Sequence, residues 1–110
     1  MAARATLVAL AVALLVGACG SPAPAEQARV LSRHQVDGRT WDLRVDSPAV
    51  GGPVDVRLLL PARYDAAPEQ RWPVFYLLHG CCDSYVSWTR STDIEQLSAA
   101  SDVLVVMPDG

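Results

Sequence analysis

Between His79 and Tyr85 the chain reads His-Gly-Cys-Cys-Asp-Ser-Tyr, which gathers an imidazole, two thiols, a carboxylate and a hydroxyl into one short stretch. Three chemistries can be weighed for such a set. A thiol nucleophile needs a base and a lowered pKa. His79 adjoins Cys81 and Cys82 closely, but neighbours on an extended chain point their side chains apart, which counts against a cysteine hydrolase. A hydroxyl nucleophile on a strained turn needs flanking glycines. Ser84 stands in Asp-Ser-Tyr, and no Gly-x-Ser-x-Gly occurs anywhere in the sequence. The third chemistry belongs to the main chain. A turn that ends a buried strand leaves N–H groups without ladder partners, and preorganised N–H donors stabilise the oxyanion of acyl transfer. Gly80 suits that turn, because glycine permits close backbone approach or a positive φ.

The elements that must position this turn follow from hydrophobic pattern. Val74-Phe75-Tyr76-Leu77-Leu78 is a short apolar run bounded by turn signals, as expected of a strand covered on both faces. Upstream, Trp41, Leu43 and Val45 alternate with Thr40, Asp42 and Arg44, the pattern of a half-buried strand. Ser47 to Pro53 breaks that strand with proline and glycine. Val54, Val56 and Leu58 then alternate again, so the two runs are expected to form an antiparallel pair. Pro61 to Arg71 reads as a polar connection, and Gly80 to Trp88 as a loop. A helix is expected to start near Thr92-Asp93, either of which can cap it, with Ile94, Leu97 and Ala100 facing inward. Val103 to Met107 is the last strand, ended by Pro108-Asp109-Gly110. Apolar strand, helix, apolar strand is the signature of a parallel βαβ unit. Glu26 to Gln35 is compatible with a short helix or an extended lead-in.

A parallel sheet needs both faces covered, and one crossover helix covers one. The expectation is therefore an α/β domain of which this sequence is the N-terminal part, with antiparallel first strands leading into a parallel sheet. Residues 1–18 read as a leader, 19–36 as a tether and lead-in, and 37–110 as the domain portion. Arg4 followed by the apolar run Thr6 to Val16 suits a signal peptide and is short for a membrane span, which takes about 20 residues. Leu15-Val16-Gly17-Ala18-Cys19 resembles a bacterial lipoprotein signal, which implies a diacylglyceryl group on Cys19. Acyl chains bury at about 0.8 kcal/mol per CH₂ and would tether the protein to a membrane on the outer side. Gly20 to Ala25 reads as a flexible tether. The alternatives are an ordinary secretory signal and a freely secreted protein.

The nine basic residues are all arginine, against twelve acids, for a net charge of −3. Without a basic cluster, nothing favours a nucleic-acid partner. No Cys or His spacing matches a zinc site. An export signal implies an oxidising compartment, where Cys81 or Cys82 could pair with a cysteine elsewhere; adjacent cysteines bridge each other only with strain.

Trp72-Pro73-Val74-Phe75-Tyr76-Leu77-Leu78-His79-Gly80, then Trp88, then Val105-Val106-Met107-Pro108-Asp109-Gly110, together resemble the esterase family that includes esterase D, feruloyl esterases and the mycobacterial mycolyltransferases. The resemblance covers about Thr40 to Gly110 and implies an α/β-hydrolase fold. It implies a Ser-Asp/Glu-His triad without a cofactor, with the nucleophile after a fifth strand, beyond Gly110. No residue of this chain is thereby assigned to the triad. His34 and His79 are the only histidines, and neither takes the role of a catalytic histidine that the family places near its C-terminus. What the resemblance does carry over is the oxyanion position, the residue after His79-Gly80. It makes the Cys81 N–H a donor and places His79, Gly80, Asp83 and Ser84 around the substrate. His-Gly stands where mycolyltransferases commonly have Asp-Gly, which tilts the implied activity toward carboxylester hydrolysis. The implied substrate is a small-molecule, lipid or sugar ester; the oligomeric state is left open. Acyl transfer and a non-catalytic envelope lipoprotein are the competing readings. His79 either shapes the oxyanion turn or bonds a nearby carbonyl. Asp83, Ser84 and Tyr85 either line an acyl pocket or form a solvated turn. Trp88 is expected to pack the loop onto the body, and Asp109 either orients the loop or forms a plain turn.

Overall fold

The structure, a computed structural model, describes residues 26–110. The leader, Cys19 and the first part of the tether lie outside the described residues. Strands β1 (Arg29–Gln35), β2 (Thr40–Ser47), β3 (Gly52–Leu59) and β4 (Val74–Tyr76) are followed by helices α1 (Ser87–Ser91) and α2 (Ile94–Ser101) and strand β5 (Leu104–Pro108). One sheet holds all five strands in the order β1-β2-β3-β5-β4. The first three form antiparallel neighbours, β3 and β5 are antiparallel, and β4 and β5 are parallel. The mixed sheet expected from the sequence is thus present, and the open lead-in resolves as a strand.

The β1–β2 turn is built by one carboxylate. Asp37 Oδ1 accepts from the backbone N–H groups of Arg39 and Thr40, each at 2.8 Å, so the side chain stands in for a main-chain turn acceptor. The Arg39 N–H, above all, holds the Asp37 carboxyl below its usual range, against a smaller opposing effect of burial. A depressed folded-state pKa adds stability above the unfolded value of about 3.9 and loses it as pH falls through the folded value. Asp37→Ala is expected to cost about 1 kcal/mol, and Asp37→Asn less, because it keeps an oxygen acceptor. Urea midpoints at neutral pH and near pH 3 check both points: the gap between wild type and Asp37→Ala should narrow in acid.

The core lies on the side of the sheet where β2 is polar. Thr40 of β2 pairs with Leu59 of β3, and Leu59 with Val105 of β5, so these residues share a face. Leu59, Val105 and Met107 are buried there, with Leu77, Trp88, Ile94 and Val103 packed against them. The opposite face, with Trp41, Leu43 and Leu58, opens on a groove that Tyr64 also lines. Four local expectations need correction. β4, expected to be covered on both faces, lies at the sheet's edge with Val74, Phe75 and Tyr76 all exposed. Gly80 has no positive φ, and a Cβ there would meet nothing within 4 Å among the described residues. The stretch after Gly80 is not loop throughout, since α1 begins at Ser87. On α2, Leu97 is 64 % exposed and Ser98 is buried, so the inward face runs through Ile94 and Ser98. A spacing of four follows the helix period of 3.6 as well as a spacing of three does, and only the neighbouring sheet decides between them. Asp93 is the N-cap without a side-chain hydrogen bond, while Thr92 Oγ1 accepts from Ile94 N at 3.3 Å.

Candidate functional site

The site grows from the end of the parallel pair. Because β4 and β5 run side by side in the same direction, His79 beyond one and Asp109 beyond the other come to the same edge. Functional groups gather at such carboxyl ends in open α/β sheets. His79 Nε2 lies 3.2 Å from Asp109 Oδ1, and His79 Nδ1 lies 2.8 Å from the Gly80 carbonyl oxygen. Each ring nitrogen thus faces an acceptor; a neutral ring can donate to one of them and an imidazolium to both. Asp109 is in turn anchored, its N–H donating to the Asp55 carbonyl of β3 at 2.8 Å. The His79 ring thus meets a neighbouring carbonyl, as one of the two sequence alternatives has it, and through Asp109 it ties the turn to the sheet.

Further contacts fix the segment after the turn. Trp88 Nε1 donates to the Leu78 carbonyl at 3.1 Å, and its ring packs on the core, as expected of a residue that holds the loop to the body. Arg90 donates to both oxygens of Asp83, at 2.9 and 2.7 Å, and Ser84 N–H donates to Asp83 Oδ1 at 2.8 Å. The Arg90 hydrogen bonds, then that of Ser84, hold the Asp83 carboxyl below its ordinary range. Arg57 grips Asp42 with two hydrogen bonds of 2.7 and 2.8 Å and donates to Thr89 Oγ1 at 2.7 Å. Its guanidinium lies 5.7 Å from the centre of the Tyr85 ring, within range of a cation–π contact. Burial, then the Asp42 carboxylate, pushes the Tyr85 hydroxyl up.

Within this frame the Cys81 N–H makes no hydrogen bond among the described residues. It is a main-chain donor on an exposed turn held from both sides, and the N–H groups of Gly80 and Cys82 beside it make none either. Cys82 beside it has φ 69°, in the left-handed region that side chains other than Asn, Asp and His seldom adopt. Asp83, placed near substrate by the resemblance, is occupied by Arg90. Ser84 has its main chain engaged on both sides, its N–H by Asp83 and its carbonyl by the Ser87 N–H at 2.9 Å. Among the described residues no group of three or more His, Cys, Asp or Glu could hold a metal ion, and no helix is long and apolar enough to cross a membrane.

Sequence reasoning missed Arg57 and Arg90. Arg57 had a detectable signal, since pairing β2 and β3 in register sets it opposite Asp42, and opposite charges across strands attract. Arg90 had none, because its partner lies across an irregular loop.

Comparison with known proteins adds three observations. Residues 47–110, more than half of the chain, match the family described as "Putative esterase". Two relatives from Mycobacterium tuberculosis, Esterase MT1326 of strain CDC 1551 / Oshkosh and Esterase Rv1288 of strain H37Rv, are each 34 % identical over 83 residues. That alignment takes in 74 % of this chain and 18 % of each relative. The crystal structure of S-formylglutathione hydrolase (FrmB) from Staphylococcus aureus superposes with a TM-score of 0.50 at 19 % identity, covering 77 % of this chain and 31 % of that one. At that identity the likeness is one of fold, and it matches the α/β-hydrolase fold that the family resemblance implies.

Proposed function

The chain belongs to the Esterase family, and from that premise we propose that it is the oxyanion-bearing N-terminal portion of an exported serine carboxylesterase, held at a membrane through a lipid on Cys19. One observation carries the catalytic half of this reading. The Cys81 N–H is free, at the edge where β4 and β5 end, on a turn held by the contact of His79 with Asp109. In the reaction, a serine hydroxyl attacks the ester carbonyl, and the oxygen takes up negative charge within reach of that N–H. The alcohol leaves, water attacks the acyl-enzyme, and the same donor stabilises the second oxyanion. The chain spans 18 % of the length of its curated relatives, which leaves room for a nucleophile turn and triad partners in a longer polypeptide. The sequence from Leu15 to Cys19 supports export and lipidation.

The test compares this chain with the longer polypeptide encoded by the same reading frame. The longer protein should carry a Gly-x-Ser-x-Gly, react with a fluorophosphonate at that serine and hydrolyse p-nitrophenyl esters. The 110-residue chain should do neither above background. Ester turnover by the purified 110-residue chain itself would overturn the proposal. Preferential transfer of the acyl group to trehalose over water would replace hydrolysis with acyl transfer.

A further inference from the structure

The two thiols at the turn have no part in the reading above, which uses only a main-chain N–H. Cys81 and Cys82 are both free and exposed, and their Sγ atoms lie 2.6 Å apart. Adjacent side chains on extended backbone point to opposite sides. Here the left-handed backbone of Cys82 bends the chain between them and swings both sulfurs to one side.

We infer that Cys81 and Cys82 are a modification site: a vicinal dithiol that closes reversibly into a disulfide by exchange with a small disulfide. The exchange balances in two steps. The Cys81 thiolate attacks one sulfur of the reagent disulfide, forming a mixed disulfide and releasing one thiolate, which takes a proton from water. Cys82 then loses its proton to solvent and attacks Cys81 Sγ, expelling the second thiolate. The protein loses two hydrogens and the reagent becomes two thiols. The contact with Cys81 raises the Cys82 thiol above its ordinary range.

The product is expected to be easily reduced. Neighbouring Cα atoms across a trans peptide stand about 3.8 Å apart, shorter than the separation of about 4.4–6.8 Å common to disulfides. Such a ring belongs with the labile bridges and not with the structural ones. It would also contain the Cys81–Cys82 peptide and so restrict the turn beside the Cys81 N–H. That last consequence rests on the esterase reading; the site itself does not.

Oxidised glutathione is the probe. The 110-residue chain is incubated with it in mildly alkaline buffer, blocked with N-ethylmaleimide and digested with trypsin, which leaves both cysteines on the peptide 72–90. The expected product is that peptide unalkylated and lighter by two hydrogens, returned to the dithiol by a mild monothiol reductant. Cys82→Ser should stop at a stable glutathione adduct on Cys81. Closure should slow about tenfold in concentrated urea, where the turn no longer holds the sulfurs together. A stable mixed disulfide on the unsubstituted chain, or a cross-link to Cys19 or to a second chain, would overturn the inference. Equal closure rates with and without urea would do so too. None of these outcomes depends on ester hydrolysis, so failure here leaves the esterase reading standing, and the reverse also holds.

Discussion

Cys81→Pro is expected to lower kcat for ester hydrolysis by about 10²–10³-fold in the polypeptide that joins this segment to its nucleophile. Proline removes the N–H and nothing else that the oxyanion uses. The backbone of Cys81 is not in the left-handed region, unlike that of Cys82, so proline meets no positive φ there. Cys81→Ala removes the thiol and keeps the donor, and it should retain most of kcat under reducing conditions. The two variants together separate main chain from side chain. An interaction made only in the transition state lowers kcat and kcat/KM together, so KM should change little in Cys81→Pro. Circular dichroism and the urea midpoint of Cys81→Pro guard against a folding defect. A folded Cys81→Pro enzyme with wild-type kcat would remove Cys81 from the mechanism.

The sequence made the strands legible, because alternation and apolar runs are local signals. Trp41, Leu43 and Val45 against Val54, Val56 and Leu58 announced an antiparallel pair, and Val74 to Leu78 with Val103 to Met107 announced a parallel one. Less legible was which side of each element would be buried. The apolar side of β2 faces an open groove, whereas Thr40 on its polar side is 2 % exposed beside Leu59. Alternation tells which residues share a face; it does not tell where the helices will lie. The same gap explains Leu97, whose hydrophobicity placed it inward although the sheet receives Ser98. The turn was legible near His79-Gly80, where the apolar run stops, although β4 itself ends at Tyr76. What holds it was not, since Asp109, Asp55 and Arg57 reach it only through pairings distant in sequence, and Arg90 reaches it across an irregular loop.

Those distant pairings make Arg57 the residue whose loss should cost most in stability. Its side chain is 14 % exposed and that of Asp42 is 21 % exposed, so removing one leaves the other with little water and no counter-charge. Breaking a fully buried pair costs about 3–5 kcal/mol, and a partly wet one less. Arg57→Ala should therefore lower stability by about 2–4 kcal/mol. That is a large share for a domain portion whose buried cluster is Leu59, Val105 and Met107. Asp42→Ala should cost a similar amount and the double variant well under the sum, with the deficit measuring the coupling. Replacing both by apolar residues of similar volume should recover much of the loss. The effect should also reach the turn. Arg57 holds Thr89 of α1, and the neighbouring Trp88 holds the Leu78 carbonyl, so freeing Arg57 loosens α1 and with it the strand end before His79. Amide hydrogen exchange should then accelerate across 78–90 in Arg57→Ala more than across β1. Unchanged exchange there, with a stability loss under about 0.5 kcal/mol, would mark the pair as an ordinary surface contact and break the link between the sheet's one bidentate ion pair at β2–β3 and the turn it is argued to support.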